Sequence, residues 1–82
     1  MEILVVLSEW CPACLEYKVI LNQIVTELNV NIIFKYPQNV PFPIKAIPTT
    51  IFFNKDKVLG FYEGSLSKYK FLNLINSLKK KM

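Results

Sequence analysis

The chain has no arginine and no histidine, and its 82 residues include only two glycines and two cysteines. Each absence removes a class of protein. A structural zinc site takes four cysteine or histidine ligands. Two cysteines and no histidine cannot supply them within one chain, so no metal and no cofactor are expected. The net charge of +4 rests on lysine alone. Readers of DNA and RNA depend on the planar arginine fork for bases and phosphates, so nucleic-acid binding is not expected. The lysines, three of them in the tail Lys79-Lys80-Lys81, read as solubility with weak steering of acidic partners. A hydrophobic fraction of 52% with 20% charged residues excludes a disordered chain. Long hydrophobic runs are missing as well. Ile3-Leu4-Val5-Val6-Leu7 is too short to span a bilayer and lacks the basic flank and cleavage site of a signal peptide. The expectation is a cytoplasmic monomer without membrane association, built as one domain over residues 1–82. A domain of this size buries only about 60–65% of its unfolded surface, near the lower limit for folding unaided.

The aliphatic run Ile3–Leu7 has the length and β-branched content of a strand buried on both faces. Pro12 to about Leu28 reads as a helix, with proline tolerated in the first turn, where its missing N–H would be unpaired anyway. Cys14, Leu21, Val25 and Leu28 are expected on its inner face, flanked by Leu15, Val19 and Ile24. Asn29 and Asn31 mark its end, and Val30–Lys35 is a second strand. A strand, a helix and a strand with tight connections form a βαβ unit with parallel strands and a right-handed crossover. Four of the five prolines fall between Pro37 and Pro48, which predicts a structured loop with at most one helical turn, near Ile44-Lys45-Ala46. Thr49–Phe53 and Val58–Tyr62 form a hairpin around Asn54-Lys55-Asp56-Lys57, where Asn and Asp tolerate positive φ. Ser67 caps a last helix, Lys68–Lys80, with Phe71, Ile75 and Leu78 inward and lysines in its final turn.

The chemistry lies in Trp10-Cys11-Pro12-Ala13-Cys14. Thiol–disulfide exchange needs a thiolate to attack a sulfur and a second thiol to resolve the mixed disulfide. Two cysteines separated by two residues at a helix start meet both needs. Cys11, at the helix N-terminus, is expected to ionise below the free thiol value of about 8.5 and to act as nucleophile. Cys14, one turn in and more buried, is the resolving thiol. Three alternatives stay open at this point: a zinc site or an iron–sulfur cluster shared between chains, and an inert core pair.

The Ile47-Pro48-Thr49 step before the hairpin adds a second motif. Together with Trp10-Cys11-Pro12-Ala13-Cys14 it makes nearly the whole chain resemble the thioredoxin/glutaredoxin superfamily. The resemblance implies an α/β thioredoxin-like fold, β-α-β then β-β-α, with a four-stranded mixed sheet flanked by helices, here expected on both faces. It implies strand order second, first, third, fourth, and a site at the C-terminal end of the first strand. It makes Pro48 a cis-proline lying against the sulfurs and Ile47 the residue whose backbone pairs with an extended substrate peptide. Gly64 becomes the glycine beside the active site, where a side chain would block docking. With Trp10 and Pro12 these residues form the implied substrate surface. The implied partners are protein disulfides and either a thioredoxin reductase-like donor or glutathione.

Glu9-Trp10-Cys11 and the run from Ile47 through Lys68 follow the thioredoxin pattern. The Cys-Pro-x-Cys motif and the short N-terminus are similar to glutaredoxin, but no Gly-Gly-Asp element follows Pro48, and Glu9 would repel glutathione carboxylates. Val5 stands where thioredoxins place a buried Asp that assists proton transfer, and Val19 where they place a helix-kinking proline. A glutathione-dependent enzyme and a non-catalytic binding module are the competing readings. Tyr17, Tyr36 and Tyr62 are expected to be half-buried packing residues. Lys18 reads as a solvated helix lysine with a lesser option of assisting a thiolate, and Phe42 as an ordinary loop residue with a lesser option of contacting a partner.

Overall fold

A computed structural model describes residues 1–81. The elements are β1 (Glu2–Val6), α1 (Pro12–Leu28), β2 (Asn31–Lys35), a 3-10 turn (Pro37–Asn39), β3 (Thr49–Asn54), β4 (Lys57–Glu63) and α2 (Lys68–Lys79). The four strands form one sheet in the order β2-β1-β3-β4. β1 and β2 are parallel, and β3 is antiparallel to both β1 and β4. Order and directions are those expected of a β-α-β unit followed by β-β-α.

Local chemistry explains the boundaries. α1 opens with Cys11 as N-cap and Pro12 in the first turn, and closes at Asn29 in the left-handed region, φ 54°, with its N–H on Val25 O. Asparagine tolerates that conformation, so the helix stops there. α2 opens at Ser67, whose Oγ accepts from the Lys70 N–H at 3.2 Å. The hairpin turn needs one residue at positive φ, and it is Lys55, φ 58°, rather than the neighbouring Asn54 or Asp56. The helical turn of the proline loop sits at Pro37–Asn39, not at Ile44-Lys45-Ala46, because Pro37 can only start a turn and Pro41 and Pro43 prevent one later.

Both helices lie on one face of the sheet, which corrects the expectation of helices on both. Alternation along β1 and β3 sends Ile3, Val5 and Leu7 with Phe52 into a single cluster. That cluster holds Cys14, Tyr17, Leu21 and Ile24 of α1 and Phe71, Ile75 and Leu78 of α2. Phe71 ties the layers together, with its ring 5.6 Å from Phe52 and 6.5 Å from Tyr17. The prolines of the 37–48 segment deny the second face a helix. Phe42, Pro43 and Ile44 lie there instead, bordering a groove of about 300 Å³ with Ile51, Val58 and Phe61. The inner face of α1 is also shifted from expectation. Tyr17 and Ile24 are buried, while Leu28, Leu15 and Val19 are exposed and Val25 is intermediate. Of the three tyrosines expected to be half-buried, Tyr36 is, Tyr17 is fully buried and Tyr62 is exposed.

Candidate redox site

The register places the site. Val6, the last residue of β1, pairs with Thr49 at the start of β3, which pairs with Glu63 at the end of β4. One end of the sheet therefore carries three segments side by side: Ser8–Cys11 leaving β1, Ile47-Pro48 entering β3, and Gly64 leaving β4.

Cys11 and Cys14 are joined as a disulfide with their Cα atoms 5.1 Å apart. The helix start builds this geometry. The Cys11 carbonyl accepts from the N–H groups of Cys14 and Leu15 at 3.0 and 3.2 Å, and Cys11 Sγ accepts from the Cys14 N–H at 3.1 Å. A sulfur that caps a helix N-terminus takes an otherwise orphan donor and the positive end of the helix dipole, and both favour a thiolate there. Pro12 occupies the first helical turn without losing a bond. Exposure divides the pair: Cys11 is half-buried and Cys14 is 1% exposed. Trp10 is 89% exposed, with its backbone N–H donating to Ser8 Oγ at 3.3 Å.

The Ile47–Pro48 peptide bond is cis. Pro48 is buried, whereas Ile47 is exposed. The Pro48 carbonyl accepts from the Gly64 N–H at 2.7 Å, so the two segments are joined by backbone. The next residue, Thr49, donates from Oγ1 to Ala46 O, which closes the turn around the proline. Gly64 has φ 104°, a conformation that L side chains rarely adopt. Space inside the protein is not the constraint, since an added Cβ would meet nothing nearer than a Tyr62 ring carbon at 3.9 Å.

Two polar contacts near the site join residues far apart in sequence. The Tyr36 hydroxyl donates to Glu9 Oε1 at 2.7 Å, and this carboxylate acceptor raises the Tyr36 pKa. The Tyr17 and Thr50 hydroxyls are hydrogen-bonded at 2.5 Å within the core. Burial pushes Tyr17 up to about 12, opposed by the Thr50 bond and assisted by Tyr62. One signal for Tyr17 was available in its spacing: it follows Cys14 by three positions, on the same helix face. Lys18 lies over the Phe34 ring, 5.2 Å from its centroid, which holds it on the β2 side of α1. Phe42 belongs to the groove on the helix-free face. Among the described residues no cluster of His, Cys, Asp and Glu is suited to a metal ion, and no helix is long and apolar enough to cross a membrane.

No protein-family model matches the chain, and no curated protein matches it in sequence. Solved structures match it in fold. Thioredoxin 1 of the thermophilic bacterium Thermosipho africanus superposes with a TM-score of 0.78 at 17% identity, covering 98% of this chain and 96% of that one. Chloroplastic thioredoxin z gives 0.81 at 20% identity, covering 96% and 78%. The germline-specific thioredoxin Deadhead of Drosophila melanogaster gives 0.75 at 15% identity, covering 94% and 79%. The fold is thus thioredoxin-like. On it the chain carries a Cys-x-x-Cys pair at the start of its first helix.

Proposed function

We propose that the chain, acting as one domain and a monomer in the cytoplasm, is a thiol–disulfide oxidoreductase that reduces protein disulfides. The observation that carries this reading is the unequal pair at the helix start: Cys11 half-buried and capping the helix, Cys14 buried behind it. In the reduced protein the Cys11 thiolate attacks one sulfur of a client disulfide, and the other client sulfur leaves as thiolate. Cys14 then attacks Cys11 Sγ, closes the internal disulfide and releases the second client thiol. Two electrons pass from the pair to the client, and no cofactor enters the step. Trp10, Pro12, Ile47, Pro48 and Gly64 form the surface the client meets, with the Ile47 backbone pairing to an extended client segment. The exposure of Trp10 and Ile47 supports that role.

The test is reduction of insulin by protein recycled with dithiothreitol. Cys11→Ser is expected to abolish turnover, and Cys14→Ser to stall at the mixed disulfide; full activity in Cys11→Ser overturns the reading. The electron donor is read as thioredoxin reductase-like rather than glutathione, because Glu9 beside Trp10 presents a carboxylate to a doubly carboxylated tripeptide. Recycling by glutathione with glutathione reductase, and none with thioredoxin reductase, would reverse that choice.

A further inference from the structure

Resolution of the mixed disulfide asks Cys14 to become a nucleophile inside the core, and burial alone opposes a charged sulfur there. The surroundings hold no charged partner for it. β1 contributes Val5 to the buried cluster and the residue just after its end contributes Leu7, β3 contributes Phe52, and α2 contributes Phe71 and Ile75. Cys11 lies at the same helix end, Lys18 sits over Phe34, and the Tyr36 hydroxyl is already given to Glu9. The other titratable groups of the packed elements, Glu2 on β1, Glu16 and Glu27 on α1, Lys57, Tyr62 and Glu63 on β4, and Tyr69, Lys70 and Lys79 on α2, are exposed, and Lys68 is paired with Glu27. What the core does contain is the Tyr17–Thr50 hydroxyl pair.

Two hydroxyls carry two protons, and their mutual bond uses one. Among the described residues neither oxygen has another hydrogen-bond partner, so one buried O–H is left over. Thr49, the neighbouring buried hydroxyl, has its proton committed to Ala46 O. Tyr17 is three residues after Cys14 on the inner face of α1, and both are buried. Long helical side chains lean toward the N-terminus over the residue three positions earlier, which for Tyr17 is Cys14. Thr50 is the cross-strand partner of Val5, so it supplies a polar atom in a layer where β1 has none.

We propose that the Tyr17 hydroxyl, supported from behind by Thr50, is the hydrogen-bond donor to Cys14 Sγ in the reduced protein and lowers the cost of its thiolate. Thr50 donates to Tyr17 Oη, and Tyr17 donates to the sulfur. The hydroxyl protons stay on their oxygens. The proton given up by Cys14 leaves with the departing client thiolate, so that mixed disulfide plus Cys14 thiol becomes internal disulfide plus client thiol. This rests on the exchange reading of Cys11 and Cys14.

In the reduced Cys11→Ser protein Cys14 is the lone thiol, and its ionisation is followed by the NMR shift of its Cβ. Adding Tyr17→Phe is expected to raise the titration midpoint by about one unit, roughly a tenfold loss of thiolate at fixed pH. Thr50→Val, close in shape, is expected to move it in the same direction by about half as much. Where Tyr17→Phe fails to fold, Thr50→Val decides. Ile24→Val, buried on the same helix without a polar atom, is expected to leave the midpoint in place. An unmoved midpoint in the hydroxyl variants overturns the proposal, and so does an equal shift in Ile24→Val. The titration reads no turnover, so its failure is distinct from full insulin activity in Cys11→Ser.

Discussion

Tyr17 shows how one side chain couples stability to pH. Its folded pKa of about 12 lies above the ordinary tyrosine value of 10.0. Between those values the unfolded chain loses the phenolic proton while the native protein keeps it. The native state then binds more protons, and stability falls as pH rises. The contribution is complete below pH 10 and disappears toward pH 12. Urea unfolding across this window is expected to show an alkaline loss of stability of about 2 kcal/mol that Tyr17→Phe removes. Tyr36, also raised by its bond to Glu9, acts in the same direction, so the difference between the two proteins is the quantity to measure.

At the scale of the element, α2 depends on its first residue. Ser67 Oγ satisfies the Lys70 N–H, and Ser67→Ala is expected to cost about 1 kcal/mol of global stability, read as a lower denaturation midpoint with an unchanged urea slope. That cap was legible in the sequence, as were the α1 span and the βαβ unit, because each follows from local propensity or from chain connectivity; the strand order came only with the resemblance to the thioredoxin/glutaredoxin superfamily. The common face of the helices was not legible. Periodicity tells which side of a helix is apolar, and says nothing of which side of the sheet α2 reaches after Gly64. Cys11 and Cys14 stood out by spacing alone. Tyr17 with Thr50, and Glu9 with Tyr36, are separated by 33 and 27 positions, and only the completed sheet brings such partners together. Lys55 at positive φ was missed because turn propensity favoured its neighbours, whereas the register left Lys55-Asp56 as the two turn residues.

For the whole molecule, one core serves both helices and the sheet, and Phe71 stands at its centre against Phe52 and Tyr17. Phe71→Ala is expected to remove about 3–5 kcal/mol, a large share of the stability of a domain this small. Thermal unfolding followed by circular dichroism and by tyrosine signals is expected to shift down as one transition, because no second core exists among the described residues to hold part of the chain.

Trp10 has a consequence beyond the client contact proposed for it. It is the single tryptophan of the chain, almost wholly in water and one residue from a sulfur of the Cys11–Cys14 disulfide. Indole emission is strong, and a neighbouring disulfide drains it more effectively than two thiols do. The protein therefore carries its own optical gauge of the redox state of its cysteine pair, placed where no label has to be added.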